Sequence, residues 1–149
     1  MRYELQPATE EDKPWLDDLR RVVYAELVVA TFGAFTEERH QRHCRTCWER
    51  GHIDIVSVDG ARVGMIQVLE DADSIDLRKI QVHPDHQGKQ LGQTLIRDVI
   101  RHATASGKPL VLSTGLKNLR AKSLYERLGF TVTRESDTHF HMRFVGVAT

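Results

Sequence analysis

The sequence predicts a mixed α/β domain organised around a strand, loop and helix at residues 74–105. Three observations carry this. An apolar stretch with strand character ends at Val82, and Pro84 stops any ladder it could extend. After a short polar loop framed by Gly88 and Gly92, Leu91, Leu95, Val99 and Ala103, flanked by Ile96 and Ile100, fall on one side of a 3.6-residue period. Gly107 and Pro109 then close that helix. Elsewhere short apolar runs and helical patterns give the order β-α-α-β-β-β-α-β-α-β-β, a mixed sheet with a strand-helix-strand crossover at its centre.

In chain order, residues 2–6 read as a first strand ended by Pro7 and Thr9. Glu10, Glu11 and Asp12 mark a helix start, with Thr9 or Asp12 as the N-cap. Trp15, Leu19, Val22, Val23, Glu26 and Leu27 continue a helical pattern to about Val29. Residues 31–35 break it, Thr36 caps a more polar helix running to about Arg50, and Gly51 ends that one. Two strands, 53–58 and 63–69, are joined by Asp59-Gly60, a strong hairpin signal.

A turn at 71–73 leads into the central strand. There Ile75 and Leu77 are odd-numbered, whereas Ile80 and Val82 are even-numbered. Side chains alternate faces, so a constant apolar face requires one inserted residue, a β-bulge near Arg78-Lys79. Beyond the central helix, residues 110–114 read as a buried strand. Asn118 opens a helix with Ala121, Leu124, Tyr125 and Leu128 on one face, and Gly129 closes it. Residues 130–134 and 138–145 form a final antiparallel pair.

A length of 149 residues predicts one domain, 1–149, with an ordinary core. Acidic and basic residues balance at 21 each, which gives no electrostatic reason to expect nucleic acid or an anionic membrane surface. No apolar run approaches the ~20 residues of a membrane-spanning helix, and residues 1–5 lack a signal-peptide core. Two cysteines only three residues apart give no disulfide framework, so the expected compartment is the reducing cytoplasm.

The chemistry centres on the loop. A strand that turns sharply into a helix N-terminus aims unpaired backbone N–H groups and the positive end of the helix dipole at one point, which suits phosphate. Gln87-Gly88-Lys89-Gln90-Leu91-Gly92 resembles the Gln/Arg-x-x-Gly-x-Gly/Ala pyrophosphate loop of the GNAT superfamily of N-acetyltransferases, with Val82 to Pro84 supplying its preceding Val-x-Pro. Downstream, Asn118, then Tyr125 seven residues later, then Leu128-Gly129-Phe130 resemble that superfamily's second motif. One departure stands out: the loop's first glycine is Gln90 here.

The resemblance implies a GNAT-like fold and transfer of an acetyl group from the cosubstrate acetyl-CoA to a primary amine by direct attack in a ternary complex. It implies coenzyme contacts from Val82, Gln87, Gly88, Lys89, Gln90, Leu91, Gly92, Asn118 and Tyr125, with the Val82 N–H polarising the thioester carbonyl. Tyr125 would protonate the departing thiolate, while Asn118 is equally a plain helix cap. An ammonium acceptor must first lose a proton, and Asp76 is the leading candidate base; Glu26, His139 and His141 are others. Small-molecule and peptide amines both fit as partners, and a homodimer stays open. The competing reading is a non-catalytic acyl-CoA-binding regulatory module. His40-x-x-His43-Cys44-x-x-Cys47 has zinc-like spacing on a helix, but no second ligand pair accompanies it, so Cys44, Cys47 and Trp48 are assigned to packing and no metal is expected.

Overall fold

The computed structural model describes residues 2–32 and 35–146, with the backbone alone for 26–32. Glu26, named above as a candidate base, therefore has a side chain outside the described residues. Seven strands follow the hydrogen-bonding order β1-β2-β3-β4-β5-β7-β6. The elements are β1 (Glu4–Pro7), α1 (Lys13–Phe32), α2 (Glu37–Arg50), β2 (Ile53–Val58), β3 (Ala61–Glu70), β4 (Ile75–Val82), α3 (Leu91–Ser106), β5 (Leu110–Gly115), α4 (Leu119–Arg127), β6 (Phe130–Glu135) and β7 (His139–Phe144), the order read from the sequence. They fall into two compact units, residues 1–68 with 79–94, and residues 69–78 with 95–149.

In the first unit, local chemistry sets the helix ends. Thr9 donates its N–H to the Asp12 carboxylate (2.8 Å) across a short 3-10 turn that runs into α1. Thr36 caps α2 by accepting the Arg39 N–H, and Gly51 ends it at φ 74°. The Arg21 guanidinium grips the Glu37 carboxylate through two nitrogens, tying α1 to α2 and holding that carboxyl down to about 2. β1 pairs antiparallel with β2, and β2 with β3. Their Asp59-Gly60 turn has φ of 52° and 81°, the paired positive values of a tight hairpin. Leu19, Ile53 and Met65 form a buried cluster against which Trp15, Leu16, Val23, Cys47 and Trp48 pack.

In the second unit β4 and β5 pair in parallel from Ile75 to Leu77, as a helical crossover requires. β5 pairs antiparallel with β7, and β7 with β6. The α3 stripe contributes buried Leu95, Ile96 and Ala103. Phe130 sits edge-to-face between Tyr125 (5.8 Å) and Phe144 (5.5 Å), which joins α4 to the β6–β7 hairpin.

β4 differs from expectation in its burial. Ile75, Leu77 and Gln81 are buried, whereas Ile80 and Val82 are half-buried, so burial keeps to odd-numbered positions across Arg78-Lys79. The polar Gln81 can hold the inward position because its side chain hydrogen-bonds Tyr24. Register shifts are found at Val56/Ser57 and Val132/Arg134.

Gly64 in β3 is required by a close approach. A Cβ there would lie 2.3 Å from the Gln81 carbonyl oxygen, a backbone atom that cannot rotate away. Gly64→Ala should therefore cost at least about 2 kcal/mol, in the upper range of core overpacking. Thermal denaturation should show a midpoint lowered by roughly 5 °C or more; an unchanged midpoint would contradict this packing.

Candidate functional site

The loop after β4 is held from both sides within the first unit. His83 donates its N–H to the Val63 carbonyl (2.8 Å), and Pro84–His86 makes a short 3-10 turn. The Gln87 side-chain amide reaches back to the Val82 carbonyl (2.8 Å), closing the loop at its base. The chain then passes through positive φ at Gly88 (78°) and Gln90 (65°) before α3 begins at Leu91. The Gln90 carbonyl accepts both the N–H and the hydroxyl of Thr94, each at 3.0 Å, so Gln90 fixes the first turn of α3.

These dihedrals have a chemical consequence. Among the described residues, the backbone N–H groups from Gly88 to Gln93 have no protein acceptor. A helix start alone leaves its first few donors unpaired; the loop adds more in series. Gly88, Lys89 and Gln90 are exposed, Gly92 is half-buried, and Leu91 anchors the turn in the interior. A Cβ at Gly92 would meet nothing within 4 Å, so the protein itself does not demand glycine there. A consecutive run of outward N–H donors at a helix N-terminus fits an anion with several oxygens, as in a pyrophosphate.

The second unit holds the other expected residues. The Asn118 side chain accepts the Ala121 N–H (3.2 Å) and caps α4, which leaves its amide hydrogens for another partner. Tyr125 is buried at 9% exposure with its ring against Phe130. Asp76 is half-buried on β4, its carboxylate 3.7 Å from the Arg78 guanidinium. His141 bonds the Ser113 hydroxyl at 2.9 Å, and the exposed His139 bonds the Thr138 hydroxyl at 2.7 Å.

A polar interior that the sequence reading missed lies in the first unit. A cavity of about 240 Å³ opens between α1, α2 and the strands, lined among others by Asp17, Arg20, Cys44, Trp48, Met65 and Gln81. Arg20 donates to His40 Nδ1 (2.9 Å), so that nitrogen is the acceptor and the imidazole is neutral, with its Nε2 facing the Cys44 sulfur (3.6 Å). Burial, then the Arg21 and Arg20 charges, hold His40 below the ordinary imidazole range. Burial and a hydrogen bond to Asp17 push the Cys44 thiol up to about 12, which makes it inert. Burial likewise raises the Tyr24 hydroxyl and lowers the Arg20 guanidinium. Fully buried Gln67 donates to the Cys47 and Gly51 carbonyls, both at 2.8 Å, and accepts the Cys47 thiol, so it caps the C-terminal turn of α2. Only the alternation of polar glutamines within apolar strands hinted at this interior.

Residues 16–130 match the model of the acetyltransferase (GNAT) family. The structure superposes on the N-acetyltransferase PaiA of Thermoplasma acidophilum in complex with coenzyme A, with a TM-score of 0.74 over 97% of this chain and 99% of that one, at 20% identity. The spore coat polysaccharide biosynthesis protein SpsD of Bacillus subtilis is 32% identical over 95 residues, 62% of this chain and 32% of that protein. The L-methionine sulfoximine/L-methionine sulfone acetyltransferase of Salmonella typhimurium is 41% identical over 58 residues, 38% of this chain and 33% of that protein. The matched segments thus span about a third of each of these two relatives.

The left-handed conformation of Gln90 answers the departure seen in the loop. The backbone adopts φ 65°, which a glycine takes freely and a side chain opposes by roughly 1 kcal/mol. Gln90→Gly relieves that strain while loosening the unfolded chain, so stability should change by less than about 1 kcal/mol in either direction. Urea denaturation checks this; a loss well beyond that range would show that the Gln90 side chain itself holds the loop.

Proposed function

The chain belongs to the acetyltransferase (GNAT) family, and we propose that it moves an acetyl group from acetyl-CoA to a primary amine by direct attack, residues 1–149 working as one catalytic domain. The observation that carries this is the unbroken series of unpaired N–H donors from Gly88 to Gln93 at the start of α3. Backbone donors and the helix dipole there suit the pyrophosphate of coenzyme A. The solved relative with coenzyme A supports the same ligand class. Gln87 and Leu91 hold the cradle in shape, Gly92 leaves room for close approach, and Lys89 adds a nearby positive charge.

The transfer forms a nitrogen–carbon bond and breaks a carbon–sulfur bond, and protons move at both ends. The amine, with a pKa near 10 when lysine-like, must lose a proton before it attacks. Asp76 is the carboxylate nominated to take it, directly or through water, although Arg78 draws on the same oxygens. The Val82 N–H is assigned to the carbonyl oxygen as negative charge develops there. Tyr125 is assigned to return a proton to the departing sulfur. A thiol of pKa about 8.5 leaves tolerably well unaided, so this acid accelerates the step without being indispensable. Asn118, with its oxygen committed to the helix cap, offers amide hydrogens to the pantetheine arm.

Two variants test separate halves of this reading. The Cβ of Gly92→Val meets no protein atom within 4 Å, so the fold should persist while coenzyme A affinity, measured by calorimetry, falls at least about tenfold through obstruction of the cradle. Unchanged affinity would remove the loop from the site. Tyr125→Phe keeps the ring against Phe130, so coenzyme affinity and acceptor KM should hold while kcat falls ~10- to 1000-fold. A raised KM at constant kcat would move Tyr125 to acceptor binding. Coenzyme binding without transfer to any amine would favour a non-catalytic acyl-CoA-binding module.

A further inference from the structure

In the first-unit cavity basic residues outnumber acidic ones among the described residues. Lys13, Arg20, Arg45 and Lys79 line it, against one carboxylate among the described residues, that of Asp17. Lys13 is drawn off by Glu10 at 3.0 Å and lies over the Trp48 ring. Arg20 is different. Its guanidinium is half-buried, and its partners among the described residues are a neutral imidazole and the face of Tyr24, neither a counter-charge. A guanidinium carries five N–H donors, of which His40 uses one. Arg20 lines the cavity, so its remaining donors are placed to meet a ligand there. A desolvated cation without an anion is costly to keep.

The surroundings narrow what would satisfy it. Asp17 and Arg20 stand three residues apart on α1, which places them side by side on one helix face. They form no ion pair with each other, and the Cys44 thiol bonds Asp17 instead. Opposite charges on one helix face, unjoined, match the ammonium and carboxylate of a zwitterion. Leu16, Trp48, Ile53 and Met65 complete the lining with apolar surface. At about 240 Å³ the cavity falls below the ~300–1,000 Å³ of drug-sized sites, so it suits one small molecule and not a coenzyme. Gln81 on its wall is followed directly by Val82 and the loop, so cavity and cradle are built on the same strand.

We propose that this cavity receives the acceptor amine and that the acceptor is a free α-amino acid with a compact apolar side chain, its carboxylate bound by Arg20. The proposal rests on the acetyltransferase reading and deepens it by naming the substrate class. Asp17 holds the ammonium on entry, and the apolar wall takes the side chain.

The test compares L-leucine and L-methionine with their carboxamides, which keep the amine and side chain but lose the negative charge. With wild-type protein and acetyl-CoA, kcat/KM read from thiol release should favour the free acids at least about tenfold, the worth of one charged hydrogen-bonded contact. Arg20→Gln should raise KM for the acids at least about tenfold, leave kcat and the carboxamides nearly unchanged, and so erase the preference. Arg20→Lys should restore part of it. Equal kcat/KM for acids and carboxamides, or an equal loss for both in Arg20→Gln, would overturn the proposal while leaving acetyl transfer intact. Should Arg20→Gln fail to fold, the wild-type comparison still decides. Calorimetry of L-leucine and L-methionine without coenzyme separates the two readings. Binding that Arg20→Gln abolishes supports the cavity assignment even if no amine is acetylated, and absence of binding together with absence of turnover overturns it.

Discussion

Backbone N–H groups must find an acceptor, and the loop after β4 is arranged so that a consecutive run of them finds none among the described residues. Everything around the loop keeps that run in place. The strand stops at Val82, the His83 N–H is tied to Val63, and the Gln87 side chain returns to the Val82 carbonyl. Gln90 accepts a left-handed backbone so that its carbonyl can start the helix through Thr94. Leu91 then anchors the first turn in the interior. Because the neighbouring groups are bonded elsewhere, the run is fixed in place rather than frayed, which is what a preorganised anion site would need.

The first unit's interior applies the same principle with side chains. Gln67 satisfies the last carbonyls of α2 from a neighbouring strand, Gln81 meets the Tyr24 hydroxyl, and His40 takes one donor from Arg20 while facing Cys44. Among the described residues no buried side-chain nitrogen or oxygen lacks a partner, and Arg20 lines a cavity. A buried network of this kind is specific because removing one member strands the others. It also accounts for the zinc-like spacing of His40, Cys44 and Cys47. Their polar atoms are engaged by Arg20, Asp17 and Gln67, and the thiols behave as small packing groups with weak hydrogen bonds.

What the sequence made legible was what local chemistry controls. Thr36 and Gly51 bound α2, Asp59-Gly60 turns the hairpin, Asn118 caps α4, and the apolar stripe of α3 points inward. Each depends on residues within a few positions, so a linear reading suffices. The alternation in β4 misled because Ile80 and Val82 look like core residues, whereas the buried position belongs to Gln81. A glutamine is buried only when a partner on another element satisfies it, and Tyr24 lies more than fifty positions away. Arg20 was invisible for the same reason: on α1 it reads as one charge among several on a polar helix.

On the proposed reading, the two anion-recognising features of the first unit divide their work by chemistry. Backbone donors in a loop read negative charge and close approach but little else, which serves a cosubstrate whose phosphates are invariant. A guanidinium reads the planar shape of a carboxylate through paired donors, and its discrimination against an uncharged analogue grows as water is excluded around it. The ligand that stays the same is met by main chain, which substitution barely alters. On the proposed reading the acceptor is met by side chains on α1 and α2, where a single change such as Arg20 to a neutral residue would redirect specificity without disturbing the cradle. A fold used with many acceptors can therefore keep β4 and its loop while rewriting the helices that wall the cavity.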